Sequence, residues 1–219
     1  MKRITTLFIH ALLLLSLTGC NPFSSGGSSG PKGPITVLAL GDSNTGDVNY
    51  PGVQPWPYHL QAMEPEWTVI NAGIGGERAA GGRARVNGLL NRHDPDVLVV
   101  MYGSNNAIQG DTASYKEDMR AIIRAAKSRN ITVVVGNILP ISGGRAIFQS
   151  RVDSLNQILV ELTREEQVRL VNVNREFRGS AQTERFPDGL HPDADGMRIL
   201  AMAFREGIRK AYRPRPAAE

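Results

Sequence analysis

Three side chains in this sequence, a serine, a histidine and an aspartate, are of the types that carry out nucleophilic acyl transfer. Ser43 stands in Gly41-Asp42-Ser43-Asn44-Thr45, and His191 follows a carboxylate by three residues in Asp188-Gly189-Leu190-His191-Pro192. A serine hydroxyl is a weak nucleophile near neutral pH and needs an adjacent base to take its proton. His191 is equipped for that task, because a single turn of chain can place Asp188 on its Nδ1 and leave Nε2 free to accept. Of the other histidines, His59 falls in an expected first helix and His93 in the loop entering the third expected strand; both are read as structural. Acyl transfer also needs several donors converging on the tetrahedral oxyanion, and losing one costs about 3–4 kcal/mol of barrier. The backbone N–H groups of Ser43 and Gly76 and the side-chain amide of Asn105 can supply three. Glycine at position 76 lets the backbone approach a substrate closely.

Such distant residues meet only if the fold gathers them at one edge. Five short apolar, mostly β-branched runs, at 35–40, 69–72, 96–102, 131–138 and 168–173, read as strands buried on both faces. Helical periodicity fills several of the gaps. In 115–128 the apolar positions are Met119, Ile122, Ile123 and Ala126, and 147–165 carries Val152, Leu155, Ile158, Leu159 and Leu162 on one stripe. The segment 193–212 does the same with Met197, Leu200, Ala201, Phe204 and Ile208, and Asp193 is placed to cap it. Strand–helix alternation predicts an α/β fold: a parallel five-stranded sheet with right-handed crossovers, sandwiched between two helical layers. Ligands of such sheets bind beyond the carboxyl ends of the strands. Gly41–Thr45, Gly73–Glu77, Gly103–Asn106 and Asp188–Pro192 all follow strands, so one edge collects a serine, a glycine-rich turn, an asparagine and an Asp–His pair.

Taken together and in this order, these blocks resemble the SGNH/GDSL hydrolase superfamily. The first is Gly41-Asp42-Ser43, the second centres on Gly76 in Asn71-Ala72-Gly73-Ile74-Gly75-Gly76, the third is Gly103-Ser104-Asn105, and the last is Asp188–His191. The resemblance implies Ser43 as nucleophile, His191 as general base and Asp188 as its orienter. It also implies an oxyanion hole from Ser43 N–H, Gly76 N–H and Asn105, and a flavodoxin-like three-layer α/β/α sandwich. Two positions depart from the usual pattern: Asn106 stands where the third block commonly has Asp, and Asn44 where Leu commonly follows the serine. Asp42, next to the nucleophile, is read as anchoring its turn to backbone N–H groups.

Other chemistries lack their residues. Gly73-Ile74-Gly75-Gly76-Glu77-Arg78 imitates a dinucleotide fingerprint but has Arg78 where the third glycine belongs, and it is missing from the first strand–helix turn. With no H-E-x-x-H, C-x-x-C or P-loop, neither a metal nor any cofactor is expected. Glu77, Arg78, Arg83 and Arg85 are either contacts for a polar substrate or a solvated helix face, the second being the simpler reading. The segment 139–145, Leu-Pro-Ile-Ser-Gly-Gly-Arg, faces the same edge and its glycine pair suggests a mobile cleft wall.

The N-terminus reads as an address. Lys2 and Arg3 precede an apolar run that is too short to span a bilayer durably, and Leu17-Thr18-Gly19-Cys20 resembles the bacterial lipobox. Residues 1–19 are therefore expected to be a lipoprotein signal peptide. Residues 20–34 would be a lipidated Cys20 with a flexible Gly/Ser/Pro tether, and residues 35–219 the hydrolase domain. The match of Gly26-Gly27-Ser28-Ser29-Gly30 to a nucleophile elbow is spurious, because it lies in this tether. Cys20 is the single cysteine of 219 residues, so there is no internal disulfide or cysteine-rich zinc module. Loss of Lys2 and Arg3 with the leader leaves 23 of the 25 basic side chains against 21 acidic ones, scattered and without a nucleic-acid footprint.

The sequence thus predicts an extracytoplasmic serine esterase held to the membrane through its N-terminal lipid, at the outer membrane in a Gram-negative host. The expected substrates are O-acetyl or other short acyl esters of the cell envelope, on an acylated carbohydrate or lipid. The alternatives are a lysophospholipase or acyl-thioesterase working on longer chains, and a non-catalytic envelope-binding protein on the same fold.

Overall fold

The computed structural model describes residues 31, 33–46, 51–177 and 184–214. The expected signal peptide, Cys20 and most of the tether lie outside the described residues. Five parallel strands form the sheet: β1 Thr36–Gly41, β2 Thr68–Gly73, β3 Val97–Met101, β4 Thr132–Gly136 and β5 Arg169–Val171. Their order is β2-β1-β3-β4-β5, the flavodoxin-like arrangement. The helices are α1 Trp56–Met63, α2 Ala79–His93, α3 Ser104–Gln109, α4 Tyr115–Lys127, α5 Gln149–Glu165, α6 Val173–Glu176 and α7 Ala194–Ala211.

Alternation along the strands explains the two layers, since successive side chains point to opposite faces. Leu38, Leu40, Leu98, Val100, Val133 and Val135 pack in one core with Val86 and Leu90 of α2, Met119, Ile122 and Ile123 of α4, and Leu155 and Leu159 of α5. Val37, Ala39, Val97, Val99, Met101 and Val134 face the other core, built on Trp56 and Leu60 of α1 and Met197, Leu200, Phe204 and Ile208 of α7. Each such fully buried side chain contributes about 1.5–3 kcal/mol relative to exposure. The Trp56 and Phe204 rings, 4.4 Å apart between centroids, lock α1 onto α7.

Local chemistry sets the element ends. Asp193 accepts from Gly196 N at 2.7 Å and caps α7, as its sequence position predicts. Three expected boundaries need correction, the first being the fourth strand, expected to 138, which ends at Gly136. The fifth strand does not run to 173: Asn172 accepts from Arg175 N at 3.0 Å, turning the chain into α6. The helix expected from 147 starts at Gln149, after a 3₁₀ turn over Gly143–Phe148.

Candidate active site

β1 ends at Gly41, and the chain turns at once over the top of the sheet, with Thr45 N and Gly46 N both donating to Asp42 O at 3.0 and 2.9 Å. That turn presents Ser43. From the far side of the sheet, the loop before α7 brings His191 over it, placing Ser43 Oγ 2.8 Å from His191 Nε2. The other ring nitrogen, Nδ1, lies 2.7 Å from Asp188 Oδ2. A carboxylate only accepts, so Nδ1 carries the proton and Nε2 is the acceptor facing the serine. Asp188 Oδ1 meanwhile accepts from Leu190 N and His191 N at 2.9 and 2.8 Å, so the same carboxylate folds the loop that carries the histidine.

In the segment after β4, expected to be a mobile wall, Gly143 and Gly144 are exposed while the residues around them are tied down. Leu139 and Ile141 are buried, Ser142 N donates to Gly189 O at 2.8 Å, and Arg145 Nη1 donates to Asp188 O at 2.7 Å. Gly189 has φ +75°, and a Cβ there would come within 2.4 Å of Ser142 O, so the two loops approach only because this residue is glycine. Neither Ser142 nor Arg145 stood out in the sequence as more than loop.

The residues expected to supply the oxyanion donors line the same cleft. Gly76 follows β2 with φ +74°, a conformation favouring glycine, and the position of its absent Cβ is open space. Asn105 lies in the first turn of α3, directly beyond β3, and its Nδ2 donates to Glu77 O at 3.1 Å and weakly to Asp42 Oδ2 at 3.4 Å. Ser43, Gly73, Gly75, Gly76, Asn105, Leu190 and His191 line a cleft of about 440 Å³. A larger groove of about 560 Å³ lies between β5 and α7, but its lining holds no Ser, Cys or His, so the chemistry belongs to the smaller cleft.

The neighbours of the site play supporting parts. Asp42 is buried and accepts from Asn44 N at 2.9 Å, the anchoring role its position predicts. Burial is the main reason that its carboxyl is pushed up to about 7, with Glu77 adding to the effect and the Asn44 and Asn105 donors opposing it. Asn106, the departure from the family pattern, is fully buried; its Nδ2 donates to Asp111 O at 2.8 Å and its Oδ1 accepts from Ala79 N at 3.2 Å. It therefore ties α3 to the start of α2 without charge. Asn44 is also buried, beside Ser104.

The four charged residues after the second block divide. Arg78 pairs with Asp111 at 2.7 Å and Arg83 with Asp118 at 3.0 Å, and neither lines the cleft. Glu77 and Arg85 are neither a substrate contact nor a solvated face: they form a largely buried ion pair at 2.6 Å beneath the site. A signal was present in the sequence, because Arg85 falls in helical register with Gly82, Val86 and Leu89 on the stripe of α2 that faces the sheet. A charge on such a stripe implies a buried partner.

A family model described as the GDSL-like lipase/acylhydrolase family matches residues 39–199. Among curated proteins, the chain is 28% identical over 169 residues to thioesterase 1/protease 1/lysophospholipase L1 of Escherichia coli, covering 76% of this chain and 79% of that one. It is 28% identical over 157 residues to a protein of Bacillus subtilis named lipoprotein YqeF, covering 66% and 60%. Among solved structures, an acetylxylan esterase of Geobacillus stearothermophilus superposes with a TM-score of 0.67 at 20% identity, covering 83% of this chain and 96% of that one, a likeness of fold.

Proposed function

We propose, from the premise that this chain belongs to the GDSL-like lipase/acylhydrolase family and is an ester-bond hydrolase, that it cleaves short acyl esters through an acyl-enzyme on Ser43. The observation that carries this reading is the unbroken relay from Ser43 Oγ through His191 to Asp188, at 2.8 and 2.7 Å, opening into the cleft. His191 Nε2 takes the serine proton as Oγ attacks the ester carbonyl. The imidazolium that forms is held and stabilised by Asp188. Negative charge develops on the carbonyl oxygen, where Ser43 N–H, Gly76 N–H and Asn105 Nδ2 converge. The long Asn105–Asp42 bond is the one that the oxyanion replaces. His191 then returns its proton to the leaving alcohol, and a water activated by the same nitrogen frees the acyl group. This complete constellation argues against a binding protein on a decayed enzyme fold.

Short acyl groups fit the lining best. Among the described residues of the cleft, Leu190 is the single large apolar side chain, with three glycines, Asn105, Ser43 and His191 making up the rest. A long chain needs an extended apolar groove to repay its desolvation. The envelope setting rests on the sequence of the leader and of Cys20, and the relative named a lipoprotein supports it. Ester-bearing envelope carbohydrate or lipid is then the substrate within reach. Hydrolysis of p-nitrophenyl esters from acetyl to palmitoyl tests the chain length: kcat/KM should be highest at acetyl to butyryl and fall steeply beyond. A maximum at octanoyl or longer would replace this reading with the lysophospholipase or thioesterase one.

A further inference from the structure

Arg85 reaches every strand end from which an oxyanion donor hangs. Its Nη2 donates to Ala72 O at 2.6 Å, to Glu77 Oε2 at 2.6 Å, to Tyr102 Oη at 2.9 Å and, at 3.4 Å, to Gly41 O. Its Nε donates to both Glu77 carboxylate oxygens at 3.0 Å. Gly41 closes β1 two residues before Ser43, and Ala72 lies in β2 four residues before Gly76. Tyr102 follows β3 three residues before Asn105. Glu77 directly follows Gly76, and its backbone oxygen accepts from Asn105 Nδ2. The Tyr102 hydroxyl donates to Glu77 Oε2 and closes the ring of contacts. The Arg85 and Glu77 side chains are 22% and 13% exposed, so water does little of this work.

On the reading that Ser43 N–H, Gly76 N–H and Asn105 form the oxyanion hole, we propose that Arg85 is its positioning residue, with Glu77 and Tyr102 as the struts. One guanidinium fixes the relative placement of three donors that come from three different strand ends. The planar fork of arginine holds Nε and Nη2 at a fixed separation, so it can grip the Glu77 carboxylate with both while Nη2 also reaches the Tyr102 hydroxyl and the backbone oxygens. The point charge of lysine cannot do so. Arg85 touches no reacting atom; it acts through the geometry of groups that do. Donors must lie within a few tenths of an ångström of the place where charge develops, and misplacement by about 1 Å costs on the order of 100-fold.

The test uses the whole mature protein with Arg85→Lys, Tyr102→Phe, Asn105→Ala and the Arg85→Lys/Asn105→Ala double variant. Active sites are counted by exhaustive fluorophosphonate labelling, and p-nitrophenyl acetate is the substrate. Per labelled site, Arg85→Lys should lower kcat by about 10- to 100-fold with KM changed less than about twofold. The affinity for a boronic acid, which forms a tetrahedral adduct on Ser43, should weaken in step. Tyr102→Phe keeps the ring and removes one strut; it should lower kcat about threefold or more, and it carries the test if the lysine variant does not fold. The double variant should lose less than the two single losses combined, because Asn105 is one of the three donors that Arg85 places and the other two remain. An unchanged kcat per site, a loss confined to KM, or a fully additive loss in the double variant would overturn the proposal while leaving Ser43 chemistry intact. Wild-type hydrolysis that survives Ser43→Ala would instead overturn the underlying reading, and this inference with it.

Discussion

Asp42 bears on pH dependence although it performs no step of the reaction. Its carboxyl is buried behind Ser43 and pushed up from 3.8 to about 7, chiefly by burial. Between about pH 4 and pH 7 the folded chain therefore keeps a proton that the unfolded chain has released. Stability falls as pH rises through that window and levels off above it, by at most about 1.4 kcal/mol per pH unit from this one group. Glu64 and Glu166 have the opposite sign. Burial raises each, but Arg209 and Arg205 outweigh it at Glu64, and Arg124 and Lys127 at Glu166, so both end below their usual range and their contributions are lost only on acidification. Burial and Arg198 hold His59 below its usual range, so that group gains stability as pH rises, and the Asp42 contribution is read by difference: from pH 5 to pH 8, urea denaturation should show wild type losing more stability, or gaining less, than Asp42→Asn. An equal difference in both proteins would contradict the buried, proton-retaining carboxyl. At this scale the placement of Ser43, Gly76 and Asn105 at one edge was legible because each stands just past an apolar strand, and that of Asp188 and His191 because the pair stands just before α7, although α6 separates it from β5. Arg145 was not: its contact is to a backbone oxygen, Asp188 O, and no residue-type pattern announces such a partner.

Among the elements, legibility tracked length and periodicity. The central strands β1, β3 and β4 are near-continuous buried apolar runs, the edge strands β2 and β5 are partly exposed and carry Asn71 and Arg169, and α4, α5 and α7 are 13, 17 and 18 residues long with clear stripes, so all eight could be placed. The α3 helix has six residues and α6 four, less than two turns each, and no period can be read over so short a span. Yet α3 carries Asn105 and Asn106, which makes it the element that links the oxyanion side of the cleft to α2. The α2 helix hid for a different reason. Its sequence AAGGRARVNGLLNRH places two glycines near its start and a charge on the sheet-facing stripe, where an apolar pattern would normally be sought. The loop 139–145 holds its exposed glycines, Gly143 and Gly144, beside the buried Leu139 and Ile141, and Ser142 N is bonded to the loop of His191, a contact that its residue types did not announce.

The molecule places its candidate reactive groups on one edge of the sheet. The leader and Cys20 lie outside the described residues, so the proposed lipid anchor rests on sequence alone. Among the described residues no helix is long and apolar enough to cross a membrane. Cys20→Ala should accordingly move the protein from the membrane fraction to the soluble one after cell breakage; retention in the membrane would contradict lipidation at that residue. The central claim is that Ser43, activated by His191, is the nucleophile, and mass spectrometry of fluorophosphonate-treated protein tests it most directly. The account predicts one phosphonyl group on Ser43 of the wild type, loss of esterase activity in proportion to labelling, and neither labelling nor activity in Ser43→Ala. Wild-type protein that remains unlabelled, or Ser43→Ala that labels and hydrolyses like wild type, would contradict it.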